Sequence, residues 1–160
     1  MRERPHVAVV GGYKVDADTL ASAEEVGRRL ATAGAVVVTG GRHGVAEAAS
    51  RGAAGAGGLT IGILPGRDRA EANPWVQVAV PTGLGDTRNA LVVMGADAVI
   101  ALTGRYGTLS EIAFALLAGT PVVALGSWEL GLEGRPDPSI ERATDPADAV
   151  ERALRRSAAG

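Results

Sequence analysis

The stretch Asp97–Gly119, DAVIALTGRYGTLSEIAFALLAG, decides the fold because it contains one complete strand–loop–helix unit. The apolar run at residues 97–102 is typical of a buried strand, and the pattern at residues 108–119 predicts a helix that ends at its final glycine. A strand that is apolar at nearly every residue is expected in a parallel sheet covered on both faces. This unit therefore predicts an α/β fold.

The rest of the chain repeats the alternation of short apolar runs with longer helical patterns. Strands are predicted at residues 6–11, 35–41, 59–66, 75–83, 97–102 and 120–126, and helices at residues 19–34, 44–58, 86–95, 108–119 and 145–157. Residues 66–74 are expected to form a loop or a single turn, and residues 128–144 a surface loop. We therefore predict one Rossmann-like domain over residues 1–160, with a mostly parallel sheet, helices on both faces, and residues 157–160 loose.

The composition excludes several classes of protein. The formal charge of −2 gives neither a broad basic surface for nucleic acid nor a polybasic membrane anchor. The absence of cysteine excludes disulfides, thiolate catalysis and cysteine-ligated metals. The apolar run near the N-terminus is too short for a signal peptide, and no stretch approaches the roughly 18 apolar residues that a membrane span needs. A cytoplasmic protein that binds neither membrane nor nucleic acid is expected.

Glycine-rich segments follow four of the predicted strands, at the edge where open α/β sheets bind ligands. The usual dinucleotide, NTPase and hydrolase motifs are absent. Such glycines often only turn the chain, but four segments at one edge favour a phosphate-bearing ligand, because glycine allows close approach and helix N-termini attract anions. The candidate ligand-binding residues in these segments are Gly11, Gly12, Gly40, Gly41, Gly44, Thr82, Gly83, Gly104, Arg105, Tyr106, Gly107 and Thr108.

Four segments of the sequence together resemble the LONELY GUY-like family, also called lysine decarboxylase-like, in its small bacterial branch related to molybdenum-cofactor carrier proteins. They are TGGRHGVAEAASRGA (39–53), GILPG (62–66), PTGLGDTRNALVV (81–93) and GRYGTLSEIAFAL (104–116). The resemblance implies a Rossmann-like fold in a homodimer or a dimer of dimers. It also implies one of two functions. The hydrolase branch cleaves nucleoside 5′-monophosphates to base and ribose 5-phosphate without metal or other cofactor, and the carrier branch binds molybdenum cofactor. Lysine decarboxylase activity is not expected.

The resemblance also implies roles for individual residues. The family's catalytic arginine falls on Arg88 and its signature glutamate on Glu111, with the family's spacing between them. The phosphate-binding loop falls on Gly104, Gly107 and Thr108, and Asn89 is a further candidate for a polar ligand contact. No metal site is implied.

The hydrolase signature of the family, P-G-G-x-G-T-x-x-E, begins here with Thr103, Gly104 and Arg105 instead of Pro-Gly-Gly. Arg105 stands where the signature has glycine, so it either strains or blocks the loop, or supplies a cation to the ligand. Ser110 stands where many hydrolases have a second acid. Two hypotheses therefore remain: a nucleoside 5′-monophosphate phosphoribohydrolase, or a carrier that binds a phosphorylated pterin or nucleotide without turnover.

Three side chains have a structural interpretation beside the functional one. Thr108 and Glu111 have the spacing of a capping box, which predicts that Glu111 caps its helix when the site is empty. Tyr106 could stack on a base or only cover its loop. Arg42 and His43 flank a predicted ligand-facing loop, although such residues are usually only solvated.

The predicted helices at residues 86–95 and 108–119 carry more apolar positions than one buried face needs. This surplus favours a homodimer, and the alternative is that the monomer buries it.

Overall fold

The computed structural model describes residues 4–158, and its centre is a sheet of seven parallel strands. Their order is β4-β3-β2-β1-β5-β6-β9, and β7 and β8 form a separate antiparallel hairpin. The strands are β1 (His6–Gly11), β2 (Val36–Thr39), β3 (Thr60–Leu64), β4 (Val78–Pro81), β5 (Ala98–Leu102), β6 (Val122–Leu125), β7 (Gly131–Leu132), β8 (Arg135–Pro136) and β9 (Ile140–Arg142). The helices are α1 (Ala17–Thr32), α2 (Val45–Gly55), α3 (Asn89–Met94), α4 (Tyr106–Ala118) and α5 (Pro146–Ser157).

The core lies in two layers, one on each face of the sheet, because successive strand residues point to opposite faces. In β1, Val7 and Val9 pack with α1, α2 and α5, whereas Ala8 and Val10 pack with α3 and α4. The central strand β5 is buried at every residue. The predicted single-domain Rossmann-like fold is confirmed.

Two predicted elements need correction. Residues 128–144 are not only a surface loop, because they contain the β7–β8 hairpin and β9, which pairs in parallel with β6. Residues 86–95 do not form one helix: a 3₁₀ turn at Gly85–Arg88 precedes the short helix α3. The connection between β3 and β4 is a single 3₁₀ turn, as expected.

The C-terminal helix ends at Ser157, where the predicted helix over residues 145–157 also ends. α5 includes Ser157, whose hydroxyl donates a hydrogen bond to the carbonyl of Ala153 at 2.9 Å. Residues 159 and 160 lie outside the described residues.

Helices α1 and α2 touch backbone to backbone. A Cβ on Gly27 of α1 would overlap the carbonyl of Ala49, and one on Gly52 of α2 would overlap the carbonyl of Glu24. The pair is joined at its surface by Arg51 and Glu24, at 2.8 Å. Since α1 follows β1 and α2 follows β2, this contact fixes the spacing of the loops that begin the two helices.

Candidate ligand-binding site

The site is a cavity at the carboxyl ends of the strands, where β1 and β5 lie side by side. The chain leaves β1 toward β2 and leaves β5 toward β6, so the two loops diverge and open a crevice, as in other doubly wound sheets. Its volume of about 780 Å³ is in the range of small-molecule pockets. Ten predicted residues line it: Gly11, Gly12, Gly40, Arg88, Asn89, Gly104, Arg105, Gly107, Thr108 and Glu111.

The N-terminus of α4 faces this cavity without a side-chain cap. The first hydrogen bond of the helix runs from the Leu109 N–H to the Arg105 carbonyl, at 2.9 Å. The N–H groups of Tyr106, Gly107 and Thr108 therefore have no partner within the helix. Such a helix end attracts an anion through its unpaired N–H groups and its dipole.

The loop before α4 has an unusual backbone. Thr103 has a φ of +48°, which is rare for a β-branched residue, and its buried hydroxyl has no hydrogen-bond partner. Gly104 has a φ of +101°, and a Cβ there would overlap the Thr108 side chain. Strain of this kind concentrates at binding sites.

Arg105 does not strain the loop through its φ, because that angle is −116°. Its side chain is exposed at the cavity. Of the two effects expected at this position, the geometry favours a cation presented to the ligand.

The capping-box prediction is wrong. The helix begins at Tyr106, two residues before Thr108, and its N-terminus has no side-chain cap, so Glu111 lies in the second turn rather than at the cap. There Glu111 is only 7% exposed and lines the cavity. Gly107 lies in the first turn of α4 and not in the loop before it. Thr108 and Glu111 therefore lie further along the helix than the two ends of a capping box do.

Glu111 and Arg88 influence each other electrostatically across the cavity wall. Burial raises the pKa of Glu111 to about 7, and the positive charge of Arg88 opposes this rise. Burial also lowers the pKa of Arg88, against the attraction of Glu111 and Asp86. Among residues 4–158, no direct ion pair joins the two groups. The site can therefore change its charge near neutral pH.

Arg88 is held by its neighbours at the end of the 3₁₀ turn, not in the first turn of a longer helix. It donates to the Asn89 side-chain oxygen and, at 3.4 Å, to the Gly40 carbonyl. Asn89 in turn donates to the Ser110 hydroxyl at 3.1 Å, and Ser110 donates to the Gly107 carbonyl at 2.6 Å. This series of hydrogen bonds connects the Arg88 guanidinium to the first turn of α4. The Arg88 Nε is buried without a partner.

The remaining predicted residues do not line the cavity. The Thr82 hydroxyl donates to the Leu64 carbonyl at 2.7 Å, and the Gly83 N–H donates to the Gly66 carbonyl at 2.8 Å. Tyr106 is 75% exposed and stacks on Trp128, with ring centroids 6.1 Å apart. Gly41 and Gly44, both at positive φ, form the turn that leads into α2.

Several residues that line the cavity were not among the predicted ligand contacts. Most of them lie in the loops and first helical turns that follow strand ends, which is the one signal in the sequence that could have identified them. Arg42 and His43, for which both a solvated and a ligand-facing position were considered, also line it. The additional residues are Val9 and Val10 of β1 together with Tyr13, Lys14, Val15, Asp16, Thr19, Ala46, Asp86 and Thr103.

The described residues contain neither a metal site nor a membrane-spanning helix. Between residues 4 and 158, no group of three or more His, Asp or Glu side chains is arranged to hold a metal ion. Over the same range, no helix is long and apolar enough to cross a bilayer.

Comparison with known proteins places the chain in a family. It belongs to the SLOG cluster4 family, whose model matches residues 4–152. An uncharacterized protein of Archaeoglobus fulgidus is 40% identical over 119 residues, which make up 74% of this chain and 78% of that protein. The resemblance noted in the sequence is confirmed.

Two solved structures share the whole fold. The molybdenum cofactor binding protein of the phototrophic bacterium Rippkaea orientalis has a TM-score of 0.87 and 34% identity, with complete coverage of both chains. The molybdenum cofactor carrier protein of Chlamydomonas reinhardtii has a TM-score of 0.83 and 32% identity, covering 99% of this chain and all of that one. The chain is thus similar to carrier proteins over nearly its full length.

Proposed function

We propose that this protein binds a phosphorylated small molecule with a planar ring system, of the molybdenum-cofactor type, and carries it without turnover. The observation that carries the proposal is the uncapped N-terminus of α4, which opens into the cavity beside Arg88 and Arg105. A phosphate there accepts hydrogen bonds from the unpaired N–H groups and pairs with the two guanidinium groups. The full-length similarity to two molybdenum-cofactor proteins supports the cargo.

Co-purification tests the carrier proposal. The protein is isolated without air from a host that makes molybdenum cofactor, and bound pterin is oxidised and quantified by fluorescence. We expect pterin on the wild type and on Arg69→Gln, an exposed control that does not line the cavity, and at least tenfold less on Arg88→Gln. Wild-type protein that never retains pterin would refute a molybdenum-cofactor cargo.

A second candidate is supported by the placement of Arg88 and Glu111 on one cavity. In a nucleoside 5′-monophosphate phosphoribohydrolase, the α4 N-terminus holds the 5′-phosphate and Arg88 orients it. The Glu111 carboxylate stabilises the positive charge that develops on the ribose as the glycosidic bond breaks. Water then supplies the hydroxyl at the sugar carbon and the proton for the leaving base.

Base release distinguishes the two candidates. Purified protein is incubated with a panel of nucleoside 5′-monophosphates, and free base is measured by chromatography. Release that falls by orders of magnitude in Glu111→Gln would support the hydrolase. Binding of nucleotide without release by the wild type would support the carrier.

We also propose a homodimer through α3 and α4. Val92, Val93 and Ile112 are buried in the monomer, which accounts for part of the apolar surplus. Leu91 remains 49% exposed and Leu117 82% exposed on these two neighbouring helices. A second copy would cover them. A cytoplasmic location stays a prediction.

A further inference from the structure

Two ring side chains stand together on the wall of the cavity. Tyr13 lies in the loop after β1, and His43 lies in the loop after β2. Both line the cavity that contains Arg88 and Glu111. Their ring centroids are 5.6 Å apart, and the ring planes meet at 79°.

This arrangement leaves ring faces open. In an edge-to-face pair, the ring that presents its edge keeps both faces free, and the other ring keeps one. Tyr13 is 56% exposed although it lines a cavity, and the His43 side chain is 51% exposed. Flat apolar surface is therefore available to a ligand inside the cavity.

The pair is held in place before any ligand binds. The His43 Nδ1 lies 3.0 Å from the carboxylate of Glu47 in the first turn of α2. The Val45 N–H donates to the Gly12 carbonyl at 3.0 Å, which ties the start of α2 to the loop that carries Tyr13. Gly44 has a φ of +71°, and a Cβ there would overlap the carbonyl oxygens of Gly12 and Tyr13. Only glycine permits this close contact of the two loops.

We propose that Tyr13 and His43 form a stacking platform for the planar heterocycle of the ligand, while the α4 N-terminus holds its phosphate. This inference rests on the proposed binding of a phosphorylated ring compound and assigns its ring end. Stacking on aromatic side chains tolerates different rings, because every base or pterin has a π-face. Purine nucleotides and pterin phosphates are thus the ligand class.

The chain contains a matched control for this platform. His6 is also an exposed histidine, but it begins β1 at the opposite edge of the sheet and does not line the cavity. Removing the His6 ring therefore removes a similar group without touching the platform or the phosphate-binding loop.

Calorimetric titration with GMP, AMP and ribose 5-phosphate tests the inference, because ribose 5-phosphate has the phosphate and sugar but no ring base. We expect the wild type to prefer at least one nucleotide over ribose 5-phosphate. Tyr13→Ala and His43→Ala should each weaken that nucleotide by roughly 5- to 150-fold, the range for losing one stacked base. Tyr13→Phe should retain the preference, and His6→Ala should bind all three as the wild type does.

Three results would overturn the inference. Equal wild-type affinity for ribose 5-phosphate and both nucleotides would remove the platform and leave phosphate binding intact. An equal loss of ribose 5-phosphate and nucleotide in Tyr13→Ala would show that this residue only supports its loop. Failure of the wild type to bind any of the three would overturn the assignment of purine nucleotides to the platform, whereas pterin retention in co-purification tests the proposed function separately.

Discussion

Replacing Glu111 by glutamine should stabilise the protein, and the gain should grow with pH. Burial raises the pKa of this carboxyl group from 4.5 to about 7. Because the pKa of this group is higher in the folded protein than in the unfolded chain, the free energy of unfolding is highest below pH 4.5, where the group is protonated in both states. It falls as the pH rises from 4.5 to 7. With about 1.4 kcal/mol per pKa unit, the ionised carboxylate lowers the free energy of unfolding by about 3 kcal/mol at pH 8.5 and about 1 kcal/mol at pH 5. Glutamine has nearly the same shape and no charge, so it avoids this cost.

Urea unfolding at pH 5 and at pH 8.5 measures the difference. Glu111→Gln should exceed the wild type by about 1 kcal/mol at pH 5 and by about 3 kcal/mol at pH 8.5. Glu151→Gln, on the exposed face of α5, should follow the wild type at both values because its side chain is 77% exposed. A glutamine variant that is no more stable than the wild type at pH 8.5 would refute the buried-charge argument. An equal gain at both values would show that the effect is not ionisation.

Three further predictions concern the loop, the dimer and the ligand. Gly104→Ala should abolish phosphate binding in calorimetry and should destabilise the protein more than the control Gly119→Ala does. Gly119→Ala should lower the free energy of unfolding by about 1–2 kcal/mol, because the φ of Gly119 is +76° but its surroundings are open. Equal effects of the two variants on binding would contradict the loop assignment. Leu117→Lys should reduce the mass in light scattering to the 16.1 kDa of one chain, whereas Leu132→Lys, at an equally exposed leucine of the hairpin, should not; a wild type that is already monomeric would refute the dimer. AMP affinity should decline as the pH rises through about 7, since the ionised Glu111 repels the phosphate. Glu111→Gln should flatten that decline. Parallel pH profiles of the wild type and the variant would exclude Glu111 from the effect.

The sequence predicted the layered fold because the information lies in short local patterns. Each of the first six strands is a run of apolar residues, and each helix has its own periodicity and end signals. The strand β9 escaped prediction because it has three residues, of which only Ile140 is buried. Its position depends on pairing with β6, and a local pattern does not contain that information.

The candidate site could be located from the sequence but not resolved into roles. The glycine-rich strand exits marked the correct edge of the sheet, since parallel strands all end on one side. The capping box at Thr108 and Glu111 failed because α4 starts two residues earlier, after the positive φ of Thr103 and Gly104. Tyr106 matched an expected base contact, yet Tyr13 lines the cavity in its place. These choices are made by tertiary contacts between distant loops.

The glycine contact between α1 and α2 makes the shape of the cavity depend on residues far from it. Gly27 lies ten residues into α1, about 15 Å along the axis from the end of the helix near Tyr13. A larger residue at Gly27 or Gly52 would push the two helices apart, because backbone atoms leave no space for it. The loops that carry Tyr13 and His43 would separate with them. The evolution of ligand preference in this fold could therefore proceed through helix spacing, with every residue that touches the ligand unchanged.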